Sequence, residues 1–322
     1  MTKWIAVAGL LAIASPFDAC AQTSTYPTKP IRWVVPFAPG GGTDMVARPI
    51  AQKLSERLGQ PILYDNRGGG GGVIAGEIVA RASPDGYTML VAAVAVMTVN
   101  VSLFPKMPFD PVKDFAPITK FAATPNMIAT RPGLPVRSVQ ELVDYGRAHP
   151  RKLTCALSGI GSPGHLGIEL FSRIANISVV HVTYKGAGPA TLALLTGEAD
   201  LLMANPSVFL PHIKAGRLRA IGVAGPKRIS ALPDTPTLNE SGFPGFESVA
   251  WFGLAAPART PTPIITSLHK EILGVLNQPE ILAQFAQDGA YPIGNTPQAF
   301  AQEIREEIAR WAKVIKDANI KL

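Results

Sequence analysis

Three glycine-rich loops contain residue types that could hold a small anion. They cover residues 36–44 (PFAPGGGTD), 66–72 (NRGGGGG) and 158–165 (SGIGSPGH), and each lies between a strand-like run and a helix-like run. That position directs backbone N–H groups and a positive helix end toward the carboxyl edge of a sheet. Glycine also lets the backbone approach a ligand closely. The loops therefore predict an anion site, although a tight turn with an ordinary helix cap at Thr43 or Asp44 also explains the first loop. The second loop either contacts the ligand directly or forms a wide turn that supports the first loop. We favour the supporting turn.

The third loop contains the spacing G-x-G-x-x-G, which in other proteins binds a dinucleotide. That interpretation requires an acidic residue about twenty positions further on. The chain has Tyr184 and Lys185 there, so the motif does not predict a dinucleotide site. Ser162 and Pro163 instead favour a capped helix start that faces an anion.

Other catalytic and metal-binding signatures are absent from the sequence. No Walker lysine follows the glycines, no H-E-x-x-H, C-x-x-C or G-x-S-x-G occurs, and the five histidines are far apart. Cys155 lies within an apolar run and is expected in the core. His165 either contacts a ligand or is a structural histidine bonded to backbone. We therefore expect neither metal nor cofactor, and a periplasmic hydrolase or isomerase is disfavoured because no nucleophile–base pair is evident.

Strand-like and helix-like runs alternate twice along the chain, which predicts an α/β fold with parallel sheets covered by helices. Predicted strands cover residues 31–36, 62–64, 88–93, 153–157, 179–184, 201–204 and 218–224; predicted helices cover 44–58, 73–82, 139–148, 165–175, 189–197, 208–216 and 298–318. Residues 118–130 are expected to be extended, and the stretch after Pro226 is irregular and proline-rich before the closing helices. With chain crossings near 121–124 and 220–225, one lobe would contain residues 22–122 and 225–322 and the other 123–224. A cleft between two lobes is a usual place for a small ligand.

The first 21 residues have the pattern of a secretory signal peptide. Lys3 precedes an uncharged, mostly apolar run of eleven residues, and Ala19-Cys20-Ala21 is a small-x-small cleavage site. We expect cleavage after Ala21 and a periplasmic protein. A buried N-terminal helix and a lipidated Cys20 are the alternatives.

Composition narrows the function further. Hydrophobic residues make up 47% of the 322 residues and charged residues 16%, which excludes intrinsic disorder. The net charge of +7 comes from scattered basic residues without a Lys/Arg run. A mild attraction for small anions is therefore expected, and nucleic acid is not an expected partner.

Several short stretches, taken in order, resemble the Bug family, the receptors of tripartite tricarboxylate transporters. The matching stretches are residues 36–44, 66–72, 84–88 (PDGYT), 159–166, 181–186 (HVTYKG), Gly197 with Asp200, and 210–216 (LPHIKAG). The resemblance covers essentially the whole chain after the leader. It implies a two-lobed periplasmic binding protein of type II-like architecture, with two Rossmann-like α/β domains, a ligand cleft and hinge crossings.

The resemblance also implies capture of a small organic carboxylate by backbone amides, hydroxyls and waters, and delivery to the membrane subunits of a tripartite tricarboxylate transporter. A sensor that presents its closed form to a membrane histidine kinase is the alternative. A monomer is expected. The predicted ligand-binding residues are Phe37, Gly41, Gly42, Thr43, Asp44, Ser158, Gly161, Ser162 and His165, with Tyr184, Lys185 and Asn205 as second choices.

Three positions depart from the family pattern. The family often has serine at the position of Leu157, aspartate at that of Ala204 and proline at that of Gly68. The first two changes predict a more apolar pocket, which favours an aromatic or longer-chain acid over a small dicarboxylate.

Overall fold

The computed structural model describes residues 26–320. The predicted signal peptide, its cleavage after Ala21 and the alternative lipidation of Cys20 lie outside these residues. Within the described part of the chain, no helix combines the length and apolar character needed to cross a membrane.

The alternation of strands and helices predicted from the sequence is present. The strands are β1 (Ile31–Val35), β2 (Ile62–Asn66), β3 (Thr88–Ala93), β4 (Phe115–Thr130), β5 (Leu153–Leu157), β6 (Val179–Thr183), β7 (Leu201–Ala204), β8 (Arg219–Ala224), β9 (Val249–Pro257) and β10 (Tyr291–Pro292). The helices are α1 (Gly42–Leu58), α2 (Val73–Ala80), α3 (Asn100–Leu103), α4 (Val139–Ala148), α5 (Pro163–Ala175), α6 (Ala187–Thr196), α7 (Leu210–Lys214), α8 (Thr262–Leu276), α9 (Pro279–Asp288) and α10 (Pro297–Ala318). Short 3₁₀ turns cover Gly70–Gly72 and Pro206–Val208, and a π-helical turn covers Ala95–Val99.

Two sheets share one long strand. The first has the order β2-β1-β3-β9-β4-β10, in which β2, β1 and β3 are parallel. The second has the order β8-β4-β7-β5-β6, in which β7, β5 and β6 are parallel. Strand β4 pairs with β9 as far as Pro125 and with β8 from Asn126 onward. The chain therefore passes from one sheet to the other between these two residues.

The return passage runs between β8 and β9, through residues 225–248. It is joined to β4 by a hydrogen bond from the Asn126 N–H to the Ser248 carbonyl (2.8 Å). Both passages lie near the crossings expected from the sequence. The division of the chain into lobes at 122/123 and 224/225 stays a prediction.

The helix faces are buried as their periodicity predicts. In α10 the apolar stripe includes Phe300, Ile304, Trp311 and Ile315, all of which are buried. On the other face of the first sheet, the Trp33 ring stacks near that of Phe121. Burying such stripes stabilises the fold by about 25 cal/mol per Å² of apolar surface removed from water.

Strand β9 and the π-helical turn were not predicted from the sequence. Strand β9 is a continuous apolar run, buried on both faces between β3 and β4, so it shows no alternation of polar and apolar residues. Its ends are also not evident from the sequence, because the stretches on either side are rich in proline. The π-helical turn continues the apolar run of β3 directly, and every one of its residues is buried.

Candidate ligand-binding site

Parallel strands bring the glycine loops to the edges of the two sheets. The first loop follows β1, the second follows β2 and the third follows β5, so each leaves the carboxyl end of a parallel strand. Side chains after β6 and β7 reach the corresponding edge of the second sheet. Ligands in α/β proteins bind at such edges.

In the first loop, helix α1 begins without a side-chain cap. Its N-cap is Gly41, and no side chain accepts a hydrogen bond from its first turn in the described residues. The first N–H groups of a helix have no partner inside it, so those of Gly42 and Thr43 are free to meet an anion. Gly40, with φ of 82°, provides the left-handed turn that leads into the helix.

The Asp44 carboxylate bonds within its own loop and helix. It accepts from the Gly40 N–H (3.2 Å) and from Arg48 Nη2 (2.8 Å). Burial alone would raise the pKa of Asp44, but these bonds outweigh burial and hold its pKa below the usual value. The side chain therefore braces the loop, and only its backbone N–H is left for an anionic ligand.

The second loop supports the first, as the sequence favoured. Asn66 Nδ2 donates to the Phe37 carbonyl (2.8 Å). A Cβ placed on Gly68 would lie 3.5 Å from the Ala38 nitrogen, so the two loops are in backbone contact. Behind them, Asn100 Nδ2 donates to the Gly71 carbonyl (3.0 Å).

The third loop is held by hydrogen bonds of its own. Ser162 Oγ caps helix α5 by accepting from the His165 N–H (3.2 Å). The Gly161 N–H donates to His165 Nδ1 (3.0 Å), with Gly161 at φ of 73°. His165 is buried and bonded to backbone, as the structural alternative requires, and its contact with a ligand stays a prediction. The Gly161 amide is already bonded, and any amide contact from this loop to a ligand must come from its neighbours, such as Ser158.

Loops at the edges of the two sheets meet each other. A Cβ on Gly42 would lie 3.1 Å from Cγ of Asn205, which follows β7. A Cβ on Gly161 would collide with Leu103 of α3. Asn205 Nδ2 is buried without a hydrogen-bond partner among residues 26–320. An unmade bond of this kind is costly, and a ligand oxygen or a water would satisfy it.

The other predicted residues occupy the same edges with different exposure. Phe37 is half-buried and packs against the core, and Tyr184 is half-buried with its hydroxyl unpartnered in the described part of the chain. Lys185 is exposed at the end of β6. Leu157 and Ala204, the two departures from the family pattern, are both buried at the ends of β5 and β7.

One cluster that the sequence analysis missed has the composition of a metal site. The potential ligand atoms of His165, Glu169 and His181 all lie within 4.8 Å of one another. Because His165 Nδ1 accepts the Gly161 N–H, the proton of the neutral ring must be on Nε2. A protonated Nε2 offers no lone pair to a cation, so this hydrogen bond opposes metal binding. The pair at i, i+4 on α5 was visible in the sequence, whereas the approach of His181 depends on the β5–β6 register.

Cys155 is in the core, as expected. Its side chain is fully buried, and this burial raises the pKa of the thiol to about 12. At neutral pH the group stays a thiol, which is a poor nucleophile.

Comparison with known proteins identifies the family. The profile of the tripartite tricarboxylate transporter family receptors, TctC, matches residues 46–320. The chain belongs to this family. BugT from Bordetella pertussis is 36% identical over 323 residues, which cover 100% of this chain and 99% of BugT.

Two solved structures are similar to most of this chain. R. palustris Rpa4515, solved with adipate, is 39% identical with a TM-score of 0.87 over 92% of this chain and 99% of that one. MatC from Rhodopseudomonas palustris, solved with bound malate, is 35% identical with a TM-score of 0.81, and the match covers 90% of this chain and 100% of MatC. The expected family and its two-lobed α/β binding-protein fold are therefore confirmed.

Proposed function

We propose that this TctC receptor captures a small organic carboxylate in the periplasm and delivers it to the membrane subunits of a tripartite tricarboxylate transporter. The observation that carries the proposal is the meeting of Gly42 and Asn205 across the cleft. There, helix N–H groups without a side-chain cap lie beside a buried amide that has no acceptor among residues 26–320. Two similar proteins were solved with adipate and with malate, which are both small organic carboxylates.

The arrangement suits an anion because its donors are neutral. Binding a carboxylate with amides avoids burying a cation that would be unpaired in the empty cleft. Arg48 lies near the first loop, but its guanidinium is bonded to Asp44 and lies over the Tyr64 ring at 4.3 Å. Lys185 is exposed at the rim and is the one predicted contact that would carry a positive charge.

The twelve residues predicted from the sequence remain our proposed site, with roles refined by their contacts. The N–H groups of Gly42, Thr43 and Asp44 and the amide of Asn205 are proposed to bind the carboxylate. Phe37, Gly41, Ser158 and Tyr184 are proposed to line the cleft, and Lys185 to contribute charge at its rim. Gly161, Ser162 and His165 are proposed to shape the third loop.

Ligand preference is proposed to follow from the two apolar departures. Leu157 and Ala204 are buried at neighbouring strand ends, where the family often has polar groups. An apolar lining disfavours a second hydroxyl or carboxylate close to the first, because burying an unpaired polar group is costly. We therefore expect a longer-chain or aromatic acid to bind more tightly than a succinate-sized one.

Calorimetric titration of the mature protein tests this preference. Adipate and terephthalate should bind more tightly than succinate, and Leu157→Ser with Ala204→Asp should narrow or reverse the difference. Equal or tighter binding of succinate by the unaltered protein would contradict the apolar-pocket proposal. Binding of an uncharged diamide such as adipamide as tightly as adipate would contradict carboxylate capture itself.

We also propose that the protein binds and releases its ligand without chemical change, acts as a monomer and is cleaved after Ala21. The protonated thiol of Cys155 and the hydrogen-bonded ring of His165 offer no activated nucleophile. Closure over the ligand would be a hinge motion at the two chain passages between the sheets. The ligand would stabilise the closed form because it binds that form better.

A further inference from the structure

Three polar side chains lie side by side behind the third loop. The side chain of His165 is buried, whereas those of Glu169 and His181 are 22% and 21% exposed. His165 and Glu169 lie one turn apart on α5, and His181 lies on β6. His165 Nε2 is 3.8 Å from Glu169 Oε1, and the same oxygen is 3.1 Å from His181 Nδ1. The two imidazole rings meet edge to face, with centroids 5.5 Å apart.

The position of each proton follows from these contacts. His165 Nδ1 accepts the Gly161 N–H, so the neutral ring carries its proton on Nε2, which faces Glu169. The hydrogen bond from His181 lowers the pKa of Glu169 against the opposing effect of burial, so its carboxylate is ionised. A negative charge beside Nε2 favours the tautomer that places the N–H dipole toward it.

His181 fixes the carboxylate in turn. Its Nδ1 donates to Glu169 Oε1, and its Nε2 is buried without a partner among the described residues. A proton on His181 Nδ1 is what the 3.1 Å contact with Glu169 Oε1 requires. His181 thus fixes the position of the Glu169 carboxylate beside His165.

We propose that Glu169 and His181 are positioning residues for ligand binding, although neither belongs to the predicted site. They hold His165 in the Nε2–H tautomer, and His165 then holds the Gly161 amide. Gly161 packs against Leu103 of the opposite lobe, so its position decides whether the third loop fits the closed cleft. The link from this chain of contacts to ligand affinity rests on the proposed function.

The chain of contacts can be tested without a ligand. In mature protein labelled with ¹⁵N-histidine, two-bond proton–nitrogen spectra report which ring nitrogen of His165 is protonated. We expect Nε2–H in the unaltered protein. In Glu169→Gln we expect a mixture of the two His165 tautomers. We also expect hydrogen exchange of the Gly161 amide to be about threefold to tenfold faster, which is the range for loss of one net hydrogen bond. His149→Gln, at an exposed position, is the matched control and should change neither.

Three outcomes would overturn the assignment. The first is an Nδ1–H tautomer of His165 in the unaltered protein, and the second is an unchanged tautomer with unchanged exchange of the Gly161 amide in Glu169→Gln. The third is a shift of the His165 and His181 ring signals by one equivalent of Zn²⁺, which would assign the cluster to a metal instead.

Ligand affinity provides the second readout, with adipate as the probe. Glu169→Gln and His181→Phe should weaken binding about threefold to tenfold. His165→Asn should retain affinity for adipate better than His165→Gln does. The Asn side-chain oxygen takes the place of Nδ1 and can accept the Gly161 N–H, whereas the Gln oxygen lies one carbon further out. Equal affinity of these two His165 variants would contradict the acceptor role of Nδ1. If adipate fails to bind the unaltered protein while the NMR results hold, the choice of ligand class fails and the positioning of the loop stands.

Discussion

Closure of the cleft can be tested by adding one methyl group at Gly42. A Cβ there would lie 3.1 Å from Cγ and 3.2 Å from Nδ2 of Asn205, whereas carbon atoms in good contact are about 3.5–4.0 Å apart. In Gly42→Ala the Asn205 side chain must therefore shift by a few tenths of an ångström. Overpacking of this kind costs ~1–3 kcal/mol. In the proposed hinge motion the form in which these two loops touch is the closed form, so the cost applies to that form and not to an open one.

The expected result is a loss of affinity without a loss of folding stability. A penalty of ~1–3 kcal/mol on the closed form weakens carboxylate binding by about 5-fold to 150-fold. The open form gains slightly, since alanine is favoured over glycine in a helix by up to about 1 kcal/mol. Calorimetric titration with the best-binding acid measures the first effect, and thermal unfolding of the free protein measures the second.

Gly188→Ala is the matched control, because Gly188 also lies in the first turn of a helix, is outside the proposed site, and would have no described atom within 4 Å of its Cβ. It should bind nearly as the unaltered protein does. Replacing Asn205 by alanine should also remove the penalty of Gly42→Ala in a double-mutant cycle. The reasoning is refuted if Gly42→Ala and Gly188→Ala bind the acid equally tightly, or if the penalty persists in the Asn205→Ala background.

Three further variants test the loop and the charges around it. Gly161→Val should abolish binding while the fold survives, because valine at φ of 73° is strained and would also displace the opposite lobe. Asp44→Asn should lower the unfolding temperature at pH 7, because Asp44 loses its charge-assisted bond to Arg48; the lowered pKa means that this difference disappears as pH falls below about 3.8. Burial raises the pKa of Glu307, which accepts from Trp251 Nε1 (2.7 Å), so the unaltered protein should lose stability relative to Glu307→Gln as pH rises above about 4.5.

Each of these variants has an outcome that contradicts its reasoning. Unchanged affinity in Gly161→Val would show that the third loop does not shape the site. A destabilisation of Asp44→Asn that is equally large at pH 3 would show that the carboxylate charge is not responsible. A difference between Glu307→Gln and the unaltered protein that stays constant from pH 4 to pH 8 would show that Glu307 does not titrate with a raised pKa.

Local chemistry explains which parts of the structure were predictable. Strands β3, β5 and β7 and helix α4 have the predicted bounds, because apolar runs and turn residues determine them within a few positions. The three glycine loops are also found between a strand and a helix. Strand β9 was missed because both of its faces are buried, which removes the alternation that indicates a strand.

The contacts that complete the site depend on long-range geometry. Gly42 meets Asn205, and Gly161 meets Leu103, only because two lobes approach each other, and no local pattern records that approach. The cluster around Glu169 was missed for a related reason. His181 reaches it through the pairing of β6 with β5, which depends on strand register.

Thermal unfolding of the mature protein against a panel of acids tests the central claim most directly. The panel contains succinate, malate, adipate, benzoate and terephthalate, each beside its amide, and uses protein that has been unfolded and refolded to remove any bound ligand. An acid at a hundred times its dissociation constant should stabilise the protein by ~2.7 kcal/mol. We predict that at least one carboxylate raises the midpoint while its amide does not. Equal shifts by an acid and its amide, or no shift with any acid, would contradict a receptor for these carboxylates.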